Sequence, residues 1–476
     1  MRRCLGFLLS LAAASVAPWA WAATPSIPLP KALLITGLGT AHPEHPKHIL
    51  AHEFYNDEIV RALEGTAQVT VTENLNSLNT QELSSYDVIL NNSFLLEPSS
   101  EQFAALFQFI EEGGAYVALH AGLESFVNSP RYVRMMGGRL VGHSPLKSFT
   151  VETFEDGFGI ERNAPWTHPI ARGVKPFEIQ DELYVVQTNT DELEVIARAE
   201  SHPIVWWRPW YNGAALAFTL GHARESSQNA GYRHLLNNSV KWLLGYPLVA
   251  KPKLPVFAND MGVAEDVIDL QNLTSIRGKT PVAFTLTNDR PDLVVATIDE
   301  NRRLNLRFHA GRTGTAKIVI TAKSAHGLAS NVELALEVQQ RGTGNLARYH
   351  GVSAHSSSNG PRYLTASPDL VIDGDAASRW SSNYVDAAWI YLDLAESYPL
   401  DRVRLSWDGA FAARYEIQVS SDARSWRTVA SRDGQGGTEE IRFAPARGRY
   451  VRMLANKRAT RYGYSLHEFE VYAARE

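Results

Sequence analysis

The sequence predicts a multidomain chain: an α/β domain built on a parallel sheet, followed by two all-β sandwiches. Three observations carry this. In the first half, short buried-strand runs alternate with helical signals, the arrangement of a parallel sheet covered by helices. Prolines then cluster at Tyr246-Pro247, Lys251-Pro252 and Leu254-Pro255, where they break a helix and stiffen a linker. Beyond them come short β runs separated by turn residues. A length of 476 residues agrees with about three domains of ~150 residues each.

The first domain is expected over residues 31–247. Ala32-Leu33-Leu34-Ile35, residues 87–90 and residues 116–119 read as buried strands. A helix between the last two opens on a capping box, Ser99 with Gln102. It carries Phe103, Leu106, Phe107 and Ile110 on one face and stops at Gly113-Gly114. Tyr211-Asn212-Gly213 lies between two β runs and predicts a hairpin turn. A closing helix carries Tyr232, Leu235, Leu236, Val240 and Leu243. The second domain, residues 255–340, contains β runs only. Arg341-Gly342-Thr343-Gly344 links it to the third, residues 345–476, along which Trp380, Trp389, Trp407 and Trp426 are spread. Their strand settings predict that most of these tryptophans are core.

The N-terminus reads as a secretory signal peptide over residues 1–22. Arg2-Arg3 is the basic region, Leu5 to Val16 the apolar run, and Ala20-Trp21-Ala22 the small-x-small cleavage site. The apolar run falls short of the ~20 residues a spanning helix needs, so no stable membrane span is expected after cleavage. A periplasmic or secreted location follows. Cys4 is the one cysteine and lies inside this segment, so the mature chain has no disulfide, thiolate ligand or cysteine nucleophile. A net charge of −5 without a basic stripe gives no footprint for nucleic acid.

Ten of the 15 histidines fall between His42 and His234. His120 and His222 each follow a strand run, so both can face one crevice at strand ends. His143 and His52 occupy loop or helix-start settings, while His45 and His48 read as solvated. Asp181-Glu182 can supply a carboxylate. Histidine binds a divalent metal or takes a proton. The plainer reading is that several of these histidines are surface or hydrogen-bonded structural residues.

The first domain resembles the ThuA-like (trehalose-utilisation) family. The residues carrying the resemblance are His52-Glu53-Phe54, Gly113 to Ala121 (GGAYVALHA), Gly137 to His143 (GGRLVGH), His168-Pro169-Ile170, Asp181-Glu182-Leu183-Tyr184 and Leu220-Gly221-His222. The resemblance implies a flavodoxin-like fold, similar to class I glutamine amidotransferases. His120 stands where those enzymes carry their nucleophilic cysteine, so thioester chemistry is excluded. It also implies a link to disaccharide or keto-sugar catabolism, with His120, His222, Glu182, His143 and His52 as catalytic candidates. The middle domain looks like a cadherin- or immunoglobulin-like spacer.

The third domain resembles the discoidin, or coagulation-factor type C, family, whose bacterial relatives include family 32 carbohydrate-binding modules. Val371-Ile372-Asp373-Gly374-Asp375, Ser378-Arg379-Trp380, Arg449-Tyr450-Val451-Arg452 and Tyr462 to Phe469 carry it. The resemblance implies a jelly-roll β-sandwich and a saccharide or polysaccharide partner. Asp373, Asp375 and Ser378 are hard oxygen ligands of the kind calcium takes, and the family places Glu468 at the same ion. Read alone, Asp373-Gly374-Asp375 is a plain turn, since Asp and Gly favour turns without any ion. Tyr384, Phe411, Arg461 and Tyr462 lie in loops as candidate sugar contacts, rings to stack and guanidinium to bond hydroxyls. Two functions stay open at this point, an exported sugar-processing enzyme targeted by its C-terminal module and a non-catalytic glycan-binding or scaffold protein.

Overall fold

The computed structural model describes residues 28–37, 55–153, 168–188, 193–278, 280–360 and 367–474. The signal segment, His45, His48 and His52 lie outside the described residues.

Among the described residues the first domain has eleven strands: β1 Lys31–Ile35, β2 Gln68–Thr72, β3 Val88–Asn91, β4 Ala115–Leu119, β5 Gly138–His143, β6 Lys147–Thr153, β7 Phe177–Asp181, β8 Tyr184–Thr188, β9 Glu194–Ala199, β10 His202–Trp210 and β11 Gly213–Phe218. Nine form one sheet in the order β2-β1-β3-β4-β11-β10-β9-β6-β7. The first five are parallel. Their spatial order is 2-1-3-4-5 in chain sequence once the excursion between β4 and β11 is set aside, which is the flavodoxin-like winding. The remaining pairs are antiparallel. This extension, and the separate two-stranded sheet of β5 and β8, were not legible from the strand runs.

Burial explains the parallel part. β4 and β11 are buried at every position, as central strands covered on both faces must be. The helix Ser100–Glu111 starts on the expected capping box and buries Leu106, Phe107 and Ile110. The helix Ala230–Leu244 covers the other face with Leu235, Leu236 and Val240, and ends on Gly245 at φ 81°. β10 turns into β11 through Tyr211 and Asn212.

The middle domain packs a four-stranded sheet on a three-stranded one, with Phe257, Ile268, Leu304, Ile318 and Leu334 between them. The described residues of the C-terminal domain form an antiparallel seven-stranded sheet. Two long strands, Ala388–Trp407 and Thr438–Arg458, run through its centre with register shifts, where the sheet bends to enclose its own core. Trp380 and Trp407 are in that core. Trp389 and Trp426 are half-buried on the outside and flank Tyr391, at ring centroid distances of 5.4 and 5.6 Å. The expectation of core tryptophans therefore holds for two of the four. Among the described residues no helix is long and apolar enough to cross a membrane.

Candidate functional site

β4 and β11 are parallel neighbours in register, Leu119 beside Phe218. The residues that follow them therefore emerge side by side at the carboxyl edge of the sheet. His120 is the first residue after β4 and has φ 41°, a left-handed conformation uncommon for a residue with a Cβ. A buried polar network holds that turn. Tyr132 donates to the Gly122 carbonyl at 2.7 Å, Asn91 donates to the Tyr116 hydroxyl at 2.8 Å, and Ser93 bonds both Asn91 and Ser125. Gly122 is required here, because a Cβ would stand 1.9 Å from the Asn91 carbonyl oxygen.

The His120 ring is oriented by its backbone neighbour. Nδ1 lies 2.9 Å from the Thr219 carbonyl. A carbonyl only accepts, so Nδ1 carries the proton and Nε2 of the neutral ring is the basic nitrogen. Nε2 lies 3.0 Å from the Tyr184 hydroxyl, 3.3 Å from His222 Nδ1 and 3.9 Å from Glu182 Oε2. His222 Nδ1 is 3.2 Å from the same Glu182 oxygen, and His143 Nδ1 is 3.4 Å from the other one. Among the described residues, His120, Glu182 and His222 are the group of three whose ligand atoms all lie within 4.8 Å of one another.

Asp181 makes this convergence. Fully buried, it accepts hydrogen bonds from the backbone N–H of Gly221 at 2.7 Å, His222 at 3.0 Å and Glu182 at 2.8 Å. One carboxylate thus ties the loop after β7 to the loop after β11. Burial pushes its pKa up, opposed by those same hydrogen bonds. Burial also raises Glu182, with His143 opposing and Asp181 adding to the rise. Tyr184 is raised well above its usual range by burial and by Glu124, Glu182 and Asp181, so it stays a hydroxyl.

The structure thus unites His120, His222, Glu182 and His143, while His52 lies outside the described residues. Three participants were missed by the sequence reading. Tyr184 was seen only as part of a motif. Glu124, raised by burial and close enough to feel His143 and Glu182, lies four residues after His120, a spacing that marks it only once the turn is known. Tyr55 donates to the His222 carbonyl at 2.5 Å.

In the C-terminal domain, Tyr384 and Tyr462 are 46% and 47% exposed and meet edge to face at 6.1 Å. Arg461 donates to the Tyr462 hydroxyl at 2.8 Å. These three form one rim. Phe411 is half-buried, packed against the core and close to Gly436, so its ring is less open than its loop setting suggested.

Asp373 accepts from the Asp375 N–H and the Ser378 hydroxyl, both at 2.7 Å. Asp375 also pairs with Lys175 of the first domain and Lys253 of the linker, each at 3.2 Å. Its pKa is held at about 2, chiefly by the Ala377 N–H, with the two lysines assisting. Glu468 Oε1 is buried and has no hydrogen-bond partner among the described residues. Burial, reinforced by the Asp373 charge, pushes Glu468 up to about 7.

The trehalose utilisation (ThuA) family matches residues 31–243, and the F5/8 type C domain matches residues 353–469. Among solved structures, chitosan-binding module 2 of a chitosanase/glucanase from Paenibacillus sp. IK-5, in complex with chitotriose, is 41% identical. It covers 27% of this chain and 100% of that module, at TM-score 0.25. A ThuA-like protein from Parabacteroides merdae is 16% identical, covering 45% of this chain and 90% of its own, at TM-score 0.37. The polysaccharide lyase 8 family protein HylA of Enterococcus faecalis is 26% identical over 133 residues, 26% of this chain; the chain spans 10% of that relative's length. The chain is accordingly a ThuA-family domain joined through a β-sandwich to an F5/8 type C domain of the discoidin type.

Proposed function

We propose that this is an exported carbohydrate-active protein whose ThuA-like domain processes a saccharide of the disaccharide or keto-sugar type. In this reading the C-terminal module holds the protein on glycans. The observation that carries it is the convergence of His120, His222 and Glu182 at the carboxyl edge of the parallel sheet, with His143 and Tyr184 beside them. His120 Nε2 is a basic nitrogen aimed into the crevice, placed either to take a proton from a sugar hydroxyl or from the carbon beside a keto group, or to ligate a divalent metal that polarises the sugar. The Tyr384, Arg461 and Tyr462 rim supports glycan binding, since it offers open rings beside a guanidinium. Tethering raises the local substrate concentration without new catalytic contacts.

Calcium belongs to the same proposal. The buried Glu468 oxygen, without a partner among the described residues and close enough to feel the Asp373 charge, fits a hard cation. Asp373, Asp375, Ser378 and Glu468 would hold it, and its role would be to stabilise the module.

The test incubates full-length protein with a panel of disaccharides and their 3-keto forms, beside His120→Ala. Turnover by the wild type and none by the variant is expected, with stability changed by less than ~2 kcal/mol, below the usual range for core truncation. Equal turnover in the variant would sink the assignment. Glycan binding with no turnover of any sugar would favour a non-catalytic glycan-binding or scaffold role.

A further inference from the structure

We infer that His120, His222 and Glu182 form a binding site for one divalent transition-metal ion of the zinc class. This deepens the reading above, because the ion would sit in the same crevice. The argument is metric. An ion bonded at about 2.0–2.1 Å in a tetrahedron sets its ligand atoms about 3.4 Å apart. The three nitrogen and oxygen atoms here are separated by 3.3, 3.2 and 3.9 Å. The triangle therefore already has the dimensions one ion would impose.

The ligand set and its surroundings agree. Two imidazole nitrogens and one carboxylate oxygen suit zinc, iron(II) or cobalt(II), and are a poor match for calcium or magnesium, which take oxygen. His120 donates its other ring proton to the Thr219 carbonyl, the outer-sphere bond that metal-ligating histidines ordinarily make. Asp181 fixes the backbone of both Glu182 and His222. The ligands thus come from three separate loops, yet hydrogen bonds to main chain hold all three. The three protein ligands found among the described residues match the pattern of catalytic rather than structural zinc, in which a further position takes a substrate or water oxygen. The Tyr184 hydroxyl at 3.0 Å from His120 Nε2 faces that same space, so it would border the open position.

The test strips the full-length chain with a chelator, desalts it, and titrates it with zinc chloride and separately with cobalt(II). One equivalent of zinc per chain is expected, together with the visible absorption of four-coordinate cobalt. His222→Ala and Glu182→Ala should lose the equivalent, whereas Glu333→Gln, at an exposed position of the middle domain, should keep it. Where Glu182→Ala fails to fold, Glu182→Gln preserves the shape, and the wild-type cobalt spectrum decides independently. No saturable zinc in the wild type, or an equivalent retained by both triad variants, would overturn the inference. Sugar turnover by a chain that takes up no zinc would overturn it while leaving the sugar-processing reading intact; bound zinc without turnover would do the reverse.

Discussion

Glu468 gives the C-terminal domain a pH dependence that can be worked out in advance. Its carboxyl is raised to about 7 by burial and by Asp373. The unfolded chain titrates near the ordinary glutamate value, so between these two points the folded state binds more protons. Stability from this group is therefore complete below the ordinary value and is lost as pH rises through 7. The full difference corresponds to about 3 kcal/mol. Partial exposure and solvent screening reduce it to roughly 2 kcal/mol. For a domain of this size that is a fall of about 8 °C in melting temperature. The perturbation is Glu468→Gln, similar in shape but always neutral. His350, pushed down by burial, slopes the opposite way below its ordinary value, so the quantity to read is the difference between wild type and variant. Scanning calorimetry of both full-length proteins in chelator, from pH 5 to pH 8, should show the variant gaining on the wild type as pH rises. Adding calcium should remove that gain, because the ion stabilises the ionised carboxylate by mass action. Parallel pH profiles in chelator would refute the assignment of a strained, buried carboxyl, and an unchanged profile on adding calcium would refute the ion.

Three other outcomes are expected. Gly122→Ala should destabilise the first domain by about 3 kcal/mol or more, because the new Cβ meets main chain that cannot move aside; a melt within 1 °C of wild type would contradict the tight elbow. Tyr384→Ala and Tyr462→Ala should each weaken binding on a glycan array and leave the circular dichroism spectrum unchanged, whereas Phe411→Ala should mainly lower stability, because its ring packs on the core. The double variant Lys175→Ala, Lys253→Ala should alter stability by less than ~1 kcal/mol, as exposed ion pairs do, yet tighten calcium binding in calorimetry by freeing Asp375 of its two rivals.

What the sequence revealed follows the range of the interactions involved. The Ser99–Gln102 capping box and the helix it starts depend on residues three or four apart, and both are found as read. The parallel strands before His120 and His222 were visible because a strand buried on both faces is a continuous apolar run. β6 and β7 alternate in burial and pair across gaps of some thirty residues, so nothing local marked them as an antiparallel continuation. Trp389 shows the same limit. A strand position fixes which face a ring takes, but only the completed sheet shows that this face is the outer one.

The candidate site divides in the same way. The histidines at strand ends were legible, because a strand boundary is local. Their convergence was not, because Asp181 brings it about. Asp181-Glu182 reads in sequence as two interchangeable carboxylates. In the fold they have opposite roles: the first is fully buried and accepts three main-chain N–H bonds, and the second lies among the imidazoles. The division follows from side-chain direction, since neighbouring residues at a strand end point to opposite sides. The residue facing inward meets main-chain donors, and the one facing outward meets the crevice. Asp181→Asn is therefore the informative change: it leaves every group of the crevice in place while weakening what aligns them. If the imidazole and carboxylate groups act as a unit, that substitution should reduce metal affinity or turnover by roughly 10-fold or more, as loss of an outer-sphere partner does. A metal-loaded or sugar-processing Asp181→Asn protein that is indistinguishable from wild type would show that the histidines and Glu182 find their places without it.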